Sequence, residues 1–180
     1  NHMGCPLTEG LLFVHNALVG CNLRDKIKIG CSAKITNAFG MASRIAIGAD
    51  WCNAARAFMF SVGCIQAQRC HTNTCPVGVA TQDARLYRGL VVENKAERAY
   101  HYHRNTMDAL AEVVAAAGLE HPDQFTPSHV LRRCSPTEVR NYSEIYEFLQ
   151  PSELVQGGGN ALWQKYWDGA NALTFTPTAS

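Results

Sequence analysis

Between residues 63 and 82 the chain abandons regular periodicity and places three cysteines within twelve residues. The run is Gly63-Cys64-Ile65-Gln66-Ala67-Gln68-Arg69-Cys70-His71-Thr72-Asn73-Thr74-Cys75-Pro76-Val77-Gly78-Val79-Ala80-Thr81-Gln82, with the spacing Cys-x5-Cys-x4-Cys. Glycine, threonine, asparagine and proline accumulate here, so a structured loop is expected. Three soft thiolates in one irregular loop can wrap a cuboidal iron–sulfur cluster, because each sulfur must reach a separate iron. Pro76 follows the last cysteine, as proline follows a ligand in ferredoxin runs, and fixes the chain direction there. Three buried free thiols are the plainer reading, but the polar spacers argue against it. Zinc with His71 as a fourth ligand fits less well. Zinc sites usually pair short spacings such as C-x2-C, and His71 directly follows Cys70, so the two side chains diverge.

The chain has eight cysteines, and an even count would suit a disulfide framework. Yet 180 residues that are 47% hydrophobic can bury a core without such staples. Cys5, Cys21, Cys31, Cys52 and Cys134 are scattered, often beside apolar residues, and read as small hydrophobes. A reducing, cytoplasmic setting is therefore expected. A membrane span needs ~20 apolar residues, and the run Leu11-Leu12-Phe13-Val14 is cut short by His15 and Asn16. The N-terminus has no signal-peptide pattern, and Asn1-His2-Met3 reads as a cloning scar. A net charge of +1 offers no field for nucleic acid or an anionic membrane.

Periodicity predicts a helix over 8–22, with Thr8 as N-cap and Gly20 as its stop. Lys26-Ile27-Lys28-Ile29-Gly30 alternates as a strand does. A helix over 37–48, a buried strand over 49–52 and a helix over 54–62 follow. This rhythm is α/β, but two strands cannot close a barrel or make an independent sheet. After the cysteine loop, 96–117 reads as a long helix ended by Gly118. Residues 119–133 read as a connector with short helical turns. Ser135-Pro136-Thr137-Glu138 resembles the start of another helix with a capping box. Gly157-Gly158-Gly159 is a break, 161–173 a last helix, and 174–180 a tail. Trp163, Tyr166 and Trp167 share one side of that helix and read as a docking face open to self-association. Asp50 is expected to hydrogen-bond a neighbouring loop. His101 and His103 read as surface or packing residues. The organisation expected is a scar at 1–3, a cluster-bearing α/β segment at 4–92 and a mainly helical extension at 93–180.

The cysteine run carries a family resemblance. Gly63, Cys64, Ile65, Cys70, His71, Cys75, Pro76, Gly78, Ala80, Thr81 and Gln82 match the run that holds a 3Fe–4S cluster in the FMN-binding, synthase part of glutamate synthases. The stretch from Gly30 to Gln82 resembles that part, closest to a subfamily carrying the flavin domain without the glutaminase half. The resemblance also covers Glu9 to Arg24 and Lys95 to Gly118. It implies the C-terminal portion of a (β/α)8 barrel, about strands seven and eight, with a missing N-terminal barrel segment or subunit as partner. It also implies Cys64, Cys70 and Cys75 as ligands and FMN as a second cofactor. The activity implied is an oxidoreductase that takes electrons from a donor protein to FMN for the reductive amination of 2-oxoglutarate. The substrate clamp lies on earlier strands, so this chain alone is not expected to turn over. A non-catalytic, metal-stabilised fragment with a binding or structural role is the competing class.

The same resemblance places the FMN phosphate at the ends of the two strands, where barrels commonly bind phosphate. Gly30, Ser32, Ala33 and Lys34 would flank it from one loop, and Asn53, Ala54, Ala55 and Arg56 from the other. The helix expected to start at Ala54 and the Arg56 fork would favour an anion. The chain departs from the family at Ala33 and Ala57, each usually Gly, and at Gly40, often Asp. If Ala33 had to adopt positive φ, flavin binding would weaken.

Overall fold

A computed structural model describes residues 4–174. Residues 1–3, where a scar is expected, and 175–180, most of the tail expected over 174–180, lie outside the described residues. The chain divides into two compact units. One takes the described residues of Asn1–Gly30, Ala46–Asp50 and Thr126–Ser180; the other takes Cys31–Ile45 and Trp51–Phe125. The long helix that begins at Val92 packs on the second unit's own helices.

In the first unit, α1 spans Leu7–Gly20. Pro6, not Thr8, holds the N-cap position, and no side chain caps this end. Asn22 adopts φ 56 and Leu23 N–H donates to the Leu18 carbonyl at 2.8 Å, so an asparagine closes the helix in the left-handed region. Gly20 does other work. A Cβ there would lie 2.6 Å from Leu154 Cγ, so its bareness admits that side chain. Buried Asn16 ties α1 to the distant chain, donating to the Glu147 carbonyl at 2.9 Å and accepting from Leu149 N–H at 2.8 Å. Leu149, Leu154 and Trp163 form the core beneath Ala17 and Cys21.

Residues 135–138 do not open a helix. They form the turn of a hairpin in which β1 (Leu131–Ser135) pairs antiparallel with β2 (Glu138–Asn141). The two-residue connection lets the segments pair, and the ladder satisfies backbone groups that a cap would have served. The capping box sits further on, where Asn141 and Glu144 cap the short helix α2 (Tyr142–Ile145). The last helix, α3, is Ala161–Asp168 and is capped by Asn160. Its Trp163 is buried and stacks on Phe13 at a centroid distance of 4.8 Å, and Tyr166 meets Phe13 edge-on at 5.5 Å. Of the expected docking face, Tyr166 and Trp167 stay partly open to solvent, at 54% and 40% exposure.

β3 (Gly30–Cys31) and β4 (Trp51–Cys52) form a two-stranded sheet, with Cys31, Trp51 and Cys52 in the second unit. The strand expected from Lys26 is shorter, because Lys26 N–H closes a turn on the Leu23 carbonyl at 3.0 Å. Helix α4 (Ala38–Ile45) starts where Asn37 Oδ1 accepts from Gly40 N–H at 2.7 Å. α5 (Ala55–Ser61) and the long α6 (Val92–Ala116) complete this packing, with Ala38, Ala42, Ala57, Leu110 and Val114 buried. Gly118 ends α6 at φ 72, as expected. Short 3-10 turns at Pro122–Gln124 and Pro127–His129 make up the connector. The architecture is thus α/β, with helices and two small sheets. Among the described residues, no helix is long and apolar enough to cross a membrane.

Candidate functional site

From Val62 to Asp83 the cysteine loop contains no helix or strand. It leaves α5 through Cys64 N–H, which donates to the Met59 carbonyl at 2.9 Å. It re-enters regular structure at α7 (Ala84–Tyr87), where the Asp83 carboxylate accepts from Arg85 N–H at 2.9 Å. A staple closes the loop. Asn73, in the left-handed region at φ 59, accepts from Gln82 N–H through Oδ1 at 2.6 Å. Thr81 Oγ1 donates to the Asn73 carbonyl at 2.7 Å. Gly78 lies at φ 78, and a Cβ there would sit 2.5 Å from the Leu86 carbonyl oxygen, so only glycine lets α7 approach.

Within this frame Cys75 is buried at 7% exposure, Cys64 is half-buried and Cys70 is exposed. Backbone N–H groups bear on the Cys75 thiol, chiefly that of Ala80 and then those of Val77, Val79 and Gly78. These donors hold its pKa below the ordinary thiol value despite the opposing burial. Cys64 Sγ accepts from Gln66 N–H at 3.5 Å. Backbone donors aimed at sulfur fit a ligating thiolate; an inert apolar thiol has no use for them. Among the described residues, no group of three or more His, Cys, Asp or Glu side chains gathers as a metal site. The donor set therefore fits a cluster in its chemistry, while the three sulfurs, and His71 with them, are not collected at one point.

All eight cysteines are free thiols. Cys31 is buried and Cys21 and Cys52 are half-buried, as small hydrophobes would be, but Cys5 and Cys134 are exposed.

The residues expected around a phosphate sit on the strand ends. Gly30 lies in β3, while Ser32, Ala33 and Lys34 follow it in an exposed loop. Asn53 and Ala54 follow β4, with Ala54 at the N-cap of α5 and Ala55 and Arg56 in its first turn. The helix thus begins one residue later than expected. Asn53 N–H donates to the Cys31 carbonyl at 2.9 Å, so the two loops leave the same edge. Positive φ falls on Lys34 at 51° and not on Ala33, which removes the cost foreseen for that substitution.

Asp50 binds a neighbouring segment as expected. It accepts from Arg24 Nη2 at 2.8 Å, Lys28 Nζ at 3.3 Å and Ile29 N–H at 2.6 Å. Burial raises its pKa, but the bonds from Ile29, Arg24 and Lys28 outweigh that and hold it below the ordinary carboxylate value. His101 forms a surface pair with Glu97, and His103 lies beside Phe58. Sequence reasoning missed Asn73. The signal was present: asparagine is the non-glycine residue that most readily turns left-handed, and it stood two positions before a cysteine.

Residues 1–120 match the family pattern described as a conserved region in glutamate synthase. The glutamate synthase large subunit-like protein YerD of Bacillus subtilis is 40% identical over 148 residues, 82% of this chain and 28% of that protein. The ferredoxin-dependent glutamate synthase of Cyanidium caldarium is 40% identical over 85 residues, 47% of this chain and 6% of that protein. The NADH glutamate synthase of Saccharomyces cerevisiae is 24% identical over 159 residues, 87% of this chain and 7% of that protein. The chain thus spans less than a third of the length of these relatives. With the family pattern covering residues 1–120 of 180, the chain belongs to the glutamate synthase family.

Proposed function

We propose that this chain is the cluster-bearing part of a glutamate synthase-like iron–sulfur flavoprotein, in which electrons from an outside donor reach FMN for the reductive amination of 2-oxoglutarate. The observation that carries the reading is the irregular loop that bears Cys64, Cys70 and Cys75 and is closed by the Asn73–Thr81–Gln82 staple. Cys64, Cys70 and Cys75 would hold a 3Fe–4S cluster. When bound, the cluster supplies one-electron transfer and FMN supplies the electron pair for the imine. This chain's residues prepare the site. Backbone N–H groups favour the anionic form of Cys75, and the Asn73–Thr81–Gln82 staple closes the loop. Lys34 and Arg56 bring cationic side chains to the strand-end loops, where backbone N–H groups of Ser32, Ala33, Ala54 and Ala55 can approach a phosphate.

The two-stranded sheet would correspond to about strands seven and eight of a (β/α)8 barrel, with the other strands and the substrate clamp supplied by further sequence. The share of its relatives that the chain spans supports this division. Turnover by this chain alone is not part of the proposal. The relatives' names, ferredoxin-dependent and NADH, favour an external reductant.

The test is anaerobic purification followed by absorption spectroscopy, iron and sulfide analysis, and fluorescence of any flavin released on denaturation. About three irons and four sulfides per chain support the reading. A folded, colourless protein with stoichiometric zinc, or with no metal, overturns it in favour of a structural or binding element.

A further inference from the structure

Outside the cysteine loop, one pair of thiols in the second unit is built into a two-stranded sheet. Cys31 ends β3 and Cys52 ends β4, and their sulfurs lie 3.5 Å apart. The bond from Asn53 N–H to the Cys31 carbonyl sets the two residues side by side. Neighbouring strands run about 4.8 Å apart, inside the ~4.4–6.8 Å Cα separation that a disulfide accepts. Cys31 is 3% exposed, whereas Cys52 is half-buried. Arg44 brings its charge to bear on both sulfurs, and its Nε is buried without a hydrogen-bond partner.

We propose that Cys31 and Cys52 form an oxidisable dithiol, a modification site for small hydroperoxides that closes to a reversible disulfide across the sheet. The two thiols are unequal. The sulfur–sulfur hydrogen bond, opposed by burial and aided by Arg44, holds the Cys31 pKa below the ordinary thiol value. The same hydrogen bond, together with burial, pushes Cys52 up. At 3.5 Å either sulfur can resolve the other once one is oxidised.

In the first step the thiolate of one of the pair attacks the terminal oxygen of the hydroperoxide. The O–O bond breaks, an S–O bond forms, and the remaining oxygen leaves as alcohol, or as water when the oxidant is hydrogen peroxide. In the second step the other sulfur attacks the oxidised one, the S–O bond breaks, and the hydroxyl leaves as water with the proton of the second thiol. Two thiols and one hydroperoxide give one disulfide, one alcohol and one water, with the sulfurs oxidised by two electrons and the peroxide reduced by two. The bond would tie Ser32 and Asn53, each next to one of the cysteines, to a fixed spacing. The inference rests on neither the cluster nor the flavin, because Cys31 and Cys52 lie outside the proposed ligand set.

Peptide mapping of the full chain tests it. Trypsin places Cys31 alone in Ile29–Lys34 and Cys52 alone in Ile45–Arg56, apart from Cys64, Cys70 and Cys75. The folded chain is treated with a slight excess of hydrogen peroxide, its free thiols are alkylated, and the digest is read by mass spectrometry. The expected result is these two peptides joined, released by a dithiol reductant, at more than about tenfold the level formed in chain denatured before oxidation. In Cys52→Ser, Cys31 should instead be trapped by dimedone as a sulfenic acid. The proposal fails if the two peptides stay unlinked while exposed Cys5 and Cys134 are oxidised, or if folded and denatured chains link them equally. Both readings use the unmodified chain, so they hold even if the variant folds poorly.

Discussion

Asp50 and Cys75 are both acidic side chains held in the anionic direction, but by different means. Asp50 is served by a backbone N–H and two cations, Arg24 and Lys28. Arg24 is itself fully engaged, donating also to His15 Nδ1 and to the Ile27 and Gly48 carbonyls. That corner is a closed circuit in which the protein answers its own charge. Around Cys75 the groups that lower the pKa are all backbone N–H. Dipoles stabilise a thiolate without neutralising it, so this sulfur still suits a cation from outside the chain. The comparison separates a charge that holds the fold together from one that is poised for a ligand.

Removing the sulfur itself should have the largest effect. Cys75→Ser should abolish iron retention in anaerobically purified protein, read as iron and sulfide per chain, while the thermal transition persists. A variant that keeps its iron would erase the contrast with Asp50. Next comes Gly78→Ala, which drives a methyl into the Leu86 carbonyl at positive φ. It should destabilise the loop by about 2–4 kcal/mol, seen as faster amide exchange over the loop with α6 little changed.

Asp50→Asn should cost about 2–3 kcal/mol in denaturant unfolding, because Arg24 is left half-buried without its counter-charge. Its pH signature has a definite sign. The folded Asp50 pKa lies below the ordinary 3.8, so its contribution is complete above that value and is lost as pH falls through the folded pKa. Wild-type stability should therefore drop more steeply than that of Asp50→Asn as pH falls below 3.8. His15 adds a second window. Its pKa is lowered chiefly by burial and then by Arg24, so its contribution is full above 6.5 and declines as pH falls below it. His15→Gln should flatten that step. The smallest effect belongs to Lys28→Ala. Lys28 is 67% exposed, so its loss should change stability by no more than about 0.5 kcal/mol, and the difference should vanish in high salt.

Much of the site's chemistry was legible in the residues. Cysteine spacing, the following proline and the polar spacers mark a loop with soft ligands, and local composition is enough for that. The long helix and its Gly118 stop were also readable, because propensity and capping act within a few residues. The hairpin at 131–141 was not. Ser135 and Glu138 carry the local pattern of a capping box, and only pairing with Leu131–Arg133 decides against it. The Trp163 face misled for a similar reason, since helical spacing reveals a stripe and not its occupant. Phe13, 150 positions earlier, supplies one.

By itself the sequence determined that residues 63–82 form an irregular, thiol-bearing loop, that the surrounding elements are α/β, and which family the chain resembles. Short-range forces set these: ring-fixed φ at proline, soft sulfur donors at close spacing, and the periods of helix and strand. The tertiary structure alone decided which cysteine backbone amides favour as an anion, that positive φ falls on Lys34 and not Ala33, and that Cys31 meets Cys52. It also decided that Asp50 answers Arg24. Each of these joins groups that the chain separates or depends on a dihedral that neighbours impose. Hydrogen bonds and ion pairs reach only a few ångströms, so no local pattern can anticipate who arrives.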